Sequence, residues 1–101
     1  MPNLDDRSYE MLITLGEARD ALSEELRLLE AQEFDELAFV RLLDATRSFG
    51  DQGQALVHII ENASADPDAI DTAKELTAFF WATEDSLEAK LGIAGRSPED
   101  R

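Results

Sequence analysis

"SFGDQGQALVHII", residues 48–60, decides how this chain folds. Two glycines and the chain's only histidine fall in a run that otherwise reads as helix, so the stretch is either a turn between two helices or the middle of one. A glycine inside a helix costs roughly 1 kcal/mol relative to alanine, so Gly50 and Gly53 together weaken a helix here by about 2 kcal/mol. Register decides between the two readings. At about 100° per residue, Phe39, Leu42, Thr46, Phe49, Leu56, Val57 and Ile60 share one sector roughly 100° wide, with no correction across the glycines. A turn inserted at random would have scrambled that phase. The spacing therefore predicts one helix over 35–62, roughly 40 Å long at 1.5 Å per residue. Gly53 lies near the centre of the sector and Gly50 at its edge. With Thr46 and Val57 they form a low strip along which a neighbouring helix or a bulky side chain can approach closely. A small ligand pocket is the alternative use of that strip. His58 projects about 140° from the stripe centre, beside Arg47, Asp51, Gln54 and Asn62, which is a solvated surface position.

Working outward, "NLDDRSY" carries an N-terminal helix signal, with Asp5 as cap and Leu4 and Tyr9 at the positions of a hydrophobic staple. From there to about residue 31, Met11, Leu12, Leu15, Ala18, Leu22, Leu26 and Leu29 form one stripe, with Glu10, Glu17, Asp20, Glu24 and Arg27 opposite. The same grammar recurs in "EFDELAF", with Asp35 as cap between Phe34 and Phe39. Projected as one continuous helix, the stripe after residue 35 is rotated by roughly 145° from the stripe before residue 30. A short turn between them, giving an antiparallel hairpin, satisfies both stripes. A third start, "SADPDAID", puts Asp66 at the cap, Pro67 at the first helical position, and Asp68 and Asp71 near the positive end of the dipole. This helix ends at about residue 91, with Lys90 in the last turn and Gly92 beyond it. Residues 93–101 read as a flexible polar tail.

The expected fold is all-α: an antiparallel three-helix bundle, a long helical hairpin plus a third helix, in a single domain over 1–92. Phe79, Phe80 and Trp81 spread over roughly 200° of the third helix, more than one core face absorbs. Phe80 points to the stripe centre, and Phe79 and Trp81 to its flanks. They pack against both neighbouring helices or against a partner chain. Outward Ile13, Leu28 and Val40 add to the second option, so completion by oligomerisation, as a homodimer, is expected. Glu84 lies on the stripe with Phe80, Leu87 and Leu91; it either pairs with Arg19 or, more simply, reaches water at a stripe edge.

Charge and composition narrow the function classes. The 101 residues hold 23 acidic against 9 basic side chains, a formal net charge of −14, and only two of the basic residues, Lys74 and Lys90, are lysines. Direct binding to nucleic acid or anionic lipid is excluded on that balance, because phosphate contacts need Lys and Arg to replace counterions. A basic protein partner is favoured instead. The lack of cysteine removes disulfides, thiolate chemistry and cysteine-ligated metals. No apolar run of about 18 residues and no leader-like start are present, which points to a cytoplasmic protein without a membrane span. Nucleophile-elbow, Walker and dinucleotide motifs are missing, and the His58-Ile59-Ile60-Glu61 run reverses the order used in carboxylate-bridged metal bundles. The sequence thus assigns no catalytic residue, no metal ligand and no cofactor. It predicts a non-enzymatic acidic interaction module, an adaptor, small chaperone or inhibitor, whose surface involves Phe79, Trp81, Gly50, Gly53, Glu84 and His58. Two other classes stand beside it. A nucleic-acid mimic would occupy the cleft of a DNA- or RNA-binding protein, and a metal or small-ligand bundle would bring Glu84, Glu61 or His58 together beside Gly53.

Overall fold

Three helices start where aspartates offer a side-chain acceptor to the free N–H groups of a first turn. In α1 (Asp6–Glu30) the Asp5 carboxylate accepts from Ser8 N at 2.7 Å. In α2 (Glu36–Asn62) Asp35 accepts from Ala38 N at 3.2 Å, and in α3 (Pro67–Leu91) Asp66 accepts from Asp68 N at 2.8 Å. The computed structural model describes residues 5–95; the expected staple residue Leu4 and the tail from residue 96 onward lie outside the described residues. Among the described residues there is no strand, and no helix is long and apolar enough to cross a membrane.

Residues 49–54 are helical throughout, so α2 runs unbroken through both glycines. Its expected stripe is the buried one: Phe39, Leu42, Thr46, Leu56, Val57 and Ile60 are buried, and Phe49 packs partly buried against them. α2 and α3 share the most extensive contact, and α1 lies mainly along α2. The helix directions follow from the ion pairs that cross the bundle. Lys74, early in α3, meets Glu61, late in α2, at 3.3 Å, while Lys90 at the end of α3 meets Glu30 at the end of α1 at 3.5 Å. α2 is therefore antiparallel to both of its neighbours. In α1 the buried positions, Ser8, Leu15, Leu22 and Leu29, recur every seven residues, the narrow seam of a coiled coil rather than a broad core face. The remaining stripe residues, Met11, Leu12, Ala18 and Leu26, flank it partly buried. The molecule is a slab of 51 × 28 × 17 Å, thin enough that each helix keeps an outer face in water.

The two glycine-type helix ends differ. α3 closes with Gly92 at φ 66°, Ile93 N donating to Glu88 O at 3.1 Å and Gly92 N to Ala89 O at 3.2 Å, the double bond pattern of a Schellman motif. α2 closes with the same pattern on a serine. Ser64 takes φ 54°, Ala65 N donates to Ile60 O at 3.0 Å and Ser64 N to Glu61 O at 3.1 Å.

The cap of α1 makes the first turn sensitive to acid. Hydrogen bonding from the Ser8 backbone N–H, more than any other cause, holds the Asp5 carboxyl below the ordinary aspartate value of 3.8. A depressed folded-state value means that the cap's contribution is present above the unfolded value and disappears as pH falls through the folded one. In an NMR titration the Asp5 carboxyl carbon is expected to titrate below a free aspartate, with the Ser8 amide moving in step. A midpoint at the free value would show that the cap does not hold in solution.

Candidate functional site: a carboxylate cluster and the glycine seam

The low strip on α2 is filled by the chain's own third helix. A Cβ at Gly50 would stand 2.6 Å from Cζ3 and 2.8 Å from Cε3 of Trp81; at Gly53 it would stand 2.5 Å from Thr77 Oγ1 and 3.4 Å from Thr77 Cα. All three distances to side-chain atoms lie inside ordinary van der Waals contact, so the absence of Cβ atoms sets how closely α2 and α3 approach. Thr77 is held in turn, its hydroxyl donating to Ala73 O at 2.8 Å, and Thr46 does likewise to Leu42 O at 2.7 Å. The strip is a packing seam. Outside it, a shallow groove of about 340 Å³ is lined by Gln54, Val57, Glu61, Lys74, Thr77, Ala78 and Trp81.

The aromatic run is also used within the chain. Phe80 is fully buried, stacking at a tilt on Phe49 with centroids 5.6 Å apart and edge-on to Phe79 at 5.6 Å. Phe79 packs partly buried against the core, and Trp81, itself partly buried, covers Gly50. Most of the surface on which a partner through Phe79 and Trp81 was expected is thus taken by cis contacts.

Glu84 corrects the simpler expectation. It does not sit at a wet stripe edge: it is 0% exposed on α3, and Glu88 one turn later is 3% exposed. Arg19 is not the cation that reaches this region, since its Nε lies 3.3 Å from Asp20 on the exposed side of α1. Among the described residues Arg47 of α2 does reach it: its guanidinium donates from Nη2 to Glu88 Oε2 at 2.8 Å, while its Nε is buried with no hydrogen-bond partner among those residues. Oxygen atoms of Glu84, Asp85 and Glu88 lie within 4.8 Å of one another. The chain then folds back over the cluster, because a Cβ at Gly95 would come 2.9 Å from Glu88 Oε1. Three carboxylates at this distance repel unless compensated; Arg47 supplies that compensation to Glu88 from across the α2–α3 interface, and Glu84 and Asp85 are engaged in interactions of their own. Oxygen-only ligands of this kind suit a hard cation, but a guanidinium already occupies one side of the group.

The remaining predicted residues do not join it. His58 is exposed, with Nε2 3.0 Å from Gln54 Nε2. Glu61 is engaged with Lys74 on the surface. Glu84, Glu61 and His58 therefore do not converge beside Gly53. Two exposed residues outside the predicted interaction surface are Leu37, which nothing in the sequence singles out, and Phe34, read from the sequence only as a staple. Phe34 stacks on Phe39, centroids 5.2 Å apart, as a staple should, yet remains 61% exposed, and Leu37 is 58% exposed.

Compared with known protein families, with curated proteins and with solved structures, the chain finds no match in any of the three.

Proposed function

We propose that this chain is a non-enzymatic, acidic protein-interaction module whose partner is a basic protein. The observation that carries the reading is the pairing of a −14 charge with large exposed apolar side chains, Phe34, Leu37, Val40, Tyr9, Ile13, Leu28 and Ile59, set among carboxylates. Long-range charge steers a basic partner and desolvated apolar contacts supply affinity. The buried carboxylates fit a structural role better than catalysis, because Glu88 is paired with Arg47 inside the α2–α3 interface. A cytoplasmic setting fits a chain without cysteine.

The nucleic-acid mimic has less support. Exposed acids are distributed over α1 (Glu10, Glu17, Asp20, Glu24), α2 (Glu36, Asp44, Asp51, Glu61) and α3 (Asp68, Asp71, Glu75, Asp85), rather than tracking phosphates along one surface. Homodimerisation through α3 loses its main motive with Trp81 laid over Gly50.

Immobilised full-length chain, incubated with nuclease-treated native lysate, is expected to retain a basic protein that is released as salt rises. A column of polyglutamate at matched charge is the control. Retention of the same proteins on both columns would sink the reading, since acidity alone would then explain capture.

A further inference from the structure

We propose that the open, acid-rich hollow at the α1–α2 turn, with its three exposed apolar side chains, is the docking site for a basic amphipathic helix of a protein partner. The inference rests on the interaction-module reading above and gives it a location and a binding mode. The hollow, of about 670 Å³, is lined by Gln32, Glu33, Phe34, Asp35, Glu36, Leu37 and Val40. Its apolar floor is Phe34, Leu37 and Val40, respectively 61%, 58% and 37% exposed. Phe34 is held in place from behind by its stack on Phe39, a residue only 3% exposed, so it offers a rigid ring at little ordering cost. Leu37 and Val40 stand three residues apart on α2, one turn of a helix, the spacing against which the apolar face of a second helix packs.

Charge selects the occupant. Glu33, Asp35 and Glu36 rim the floor, and Glu30 stands on the adjoining hollow beside Leu29, Phe34 and Phe39. Among the described residues two cations lie nearby: Lys90 shares the adjoining hollow but is paired there with Glu30 at 3.5 Å, and Arg41 lines the groove on the α1 side with Glu25, Ala38, Leu42 and Ala45. A second copy of this chain would set the same carboxylates against one another, and like charges across an interface cost affinity. An anionic lipid surface is repelled for the same reason. A helix with leucine-type residues on one face and Lys or Arg beside them meets both the floor and the rim.

The test uses the full-length, nitrogen-15-labelled chain and two synthetic Leu/Lys peptides about four turns long. One places all leucines on a single helical face; the other has the same composition with leucines spread around the helix. The patterned peptide is expected to move amide resonances chiefly within residues 32–40. A Leu37→Ser/Val40→Ser chain, changed only at exposed positions, should bind it roughly tenfold or more weakly, a loss typical of removing central apolar anchors. Its melting temperature and its binding of the spread peptide should not change. Equal binding of the two peptides, or shifts scattered over the outer acidic faces, overturns the site while leaving a basic partner possible elsewhere. Failure of both peptides to bind at low salt overturns the site and the interaction-module reading together. Dilution-dependent shifts at residues 34–40 without peptide would show a second copy on the hollow, and that also overturns the proposal.

Discussion

Gly53→Leu is expected to lower the melting temperature by about 10 °C. Inserting a side chain into a seam this closed costs roughly 3 kcal/mol, the upper end of the usual range, and the helix-propensity gain over glycine returns just under 1, leaving a net loss of about 2 kcal/mol. For a chain of this size each kcal/mol is worth roughly 4–8 °C. The obstruction is specific. A Cβ at position 53 already meets Thr77 Oγ1 at 2.5 Å, and that hydroxyl is fixed by its bond to Ala73 O on a β-branched residue with few rotamers. Backbone stands close behind it, with Thr77 Cα at 3.4 Å. Gly16 supplies the internal control, because it is also mid-helix, in α1, and a Cβ there would meet nothing within 4 Å. Gly16→Ala should therefore raise stability by up to about 1 kcal/mol, the usual propensity difference, while Gly53→Ala should fail to show that gain. Thermal unfolding of the three variants beside the parent chain decides the matter. Equal gains at positions 16 and 53 would mean that α3 does not close on α2 as described.

The seam also shows which parts of the structure the sequence carries openly. Continuity of α2 was legible because phase is a local property: six apolar residues and Thr46 kept one angular register across Gly50 and Gly53, whatever lay on the other side. The three starts were legible for the same reason, since Asp5, Asp35 and Asp66 each bond an N–H two or three residues away. The end of α2, expected at 62 and found there, carries no glycine signal. Its left-handed residue is Ser64, where glycine is the usual signal, and a non-glycine there carries a conformational cost of roughly 1 kcal/mol that burial of Ala65 helps to offset.

What lay across an interface was not legible. A helical projection gives each side chain an angle but neither a depth nor a neighbour. Glu84 was placed on the correct stripe, yet its complete burial depends on α3 being covered there. Arg47 projected to the outer face of α2 with His58. His58 stays there, whereas the longer Arg47 side chain reaches back to α3 and leaves only 27% of its side-chain surface exposed. Trp81 over Gly50 was equally beyond reach, since it requires knowing which helix faces the strip. Phe34 was read as a staple, which it is, but a staple uses one face of the ring and the other remains available at the α1–α2 turn.

Arg47→Met is expected to cost about 3 kcal/mol, some 15 °C in melting temperature. Methionine keeps most of the aliphatic stem, so the loss reports the guanidinium rather than packing. Without that group, Glu88 is left almost entirely out of water beside Glu84 and Asp85, whose oxygens lie within 4.8 Å of its own. Breaking one side of a buried pair typically costs 3–5 kcal/mol because the surviving charge stays buried, and the partial exposure of Arg47 places this pair near the lower end of that range. The pair itself need not be a net source of stability. Replacing both partners, as Arg47→Met/Glu88→Leu, should recover much of the loss, since an apolar pair of similar volume is often as stable as the ion pair it replaces. Urea unfolding of the parent, the two single variants and the double variant gives the coupling energy, expected at roughly 1–3 kcal/mol for groups in direct contact. If the two single losses simply add, Arg47 and Glu88 do not act as a unit. An added hard cation that raises the melting temperature of Arg47→Met but not of Arg47→Met/Glu88→Leu would then show that the carboxylates accept a cation through Glu88 once the guanidinium is gone.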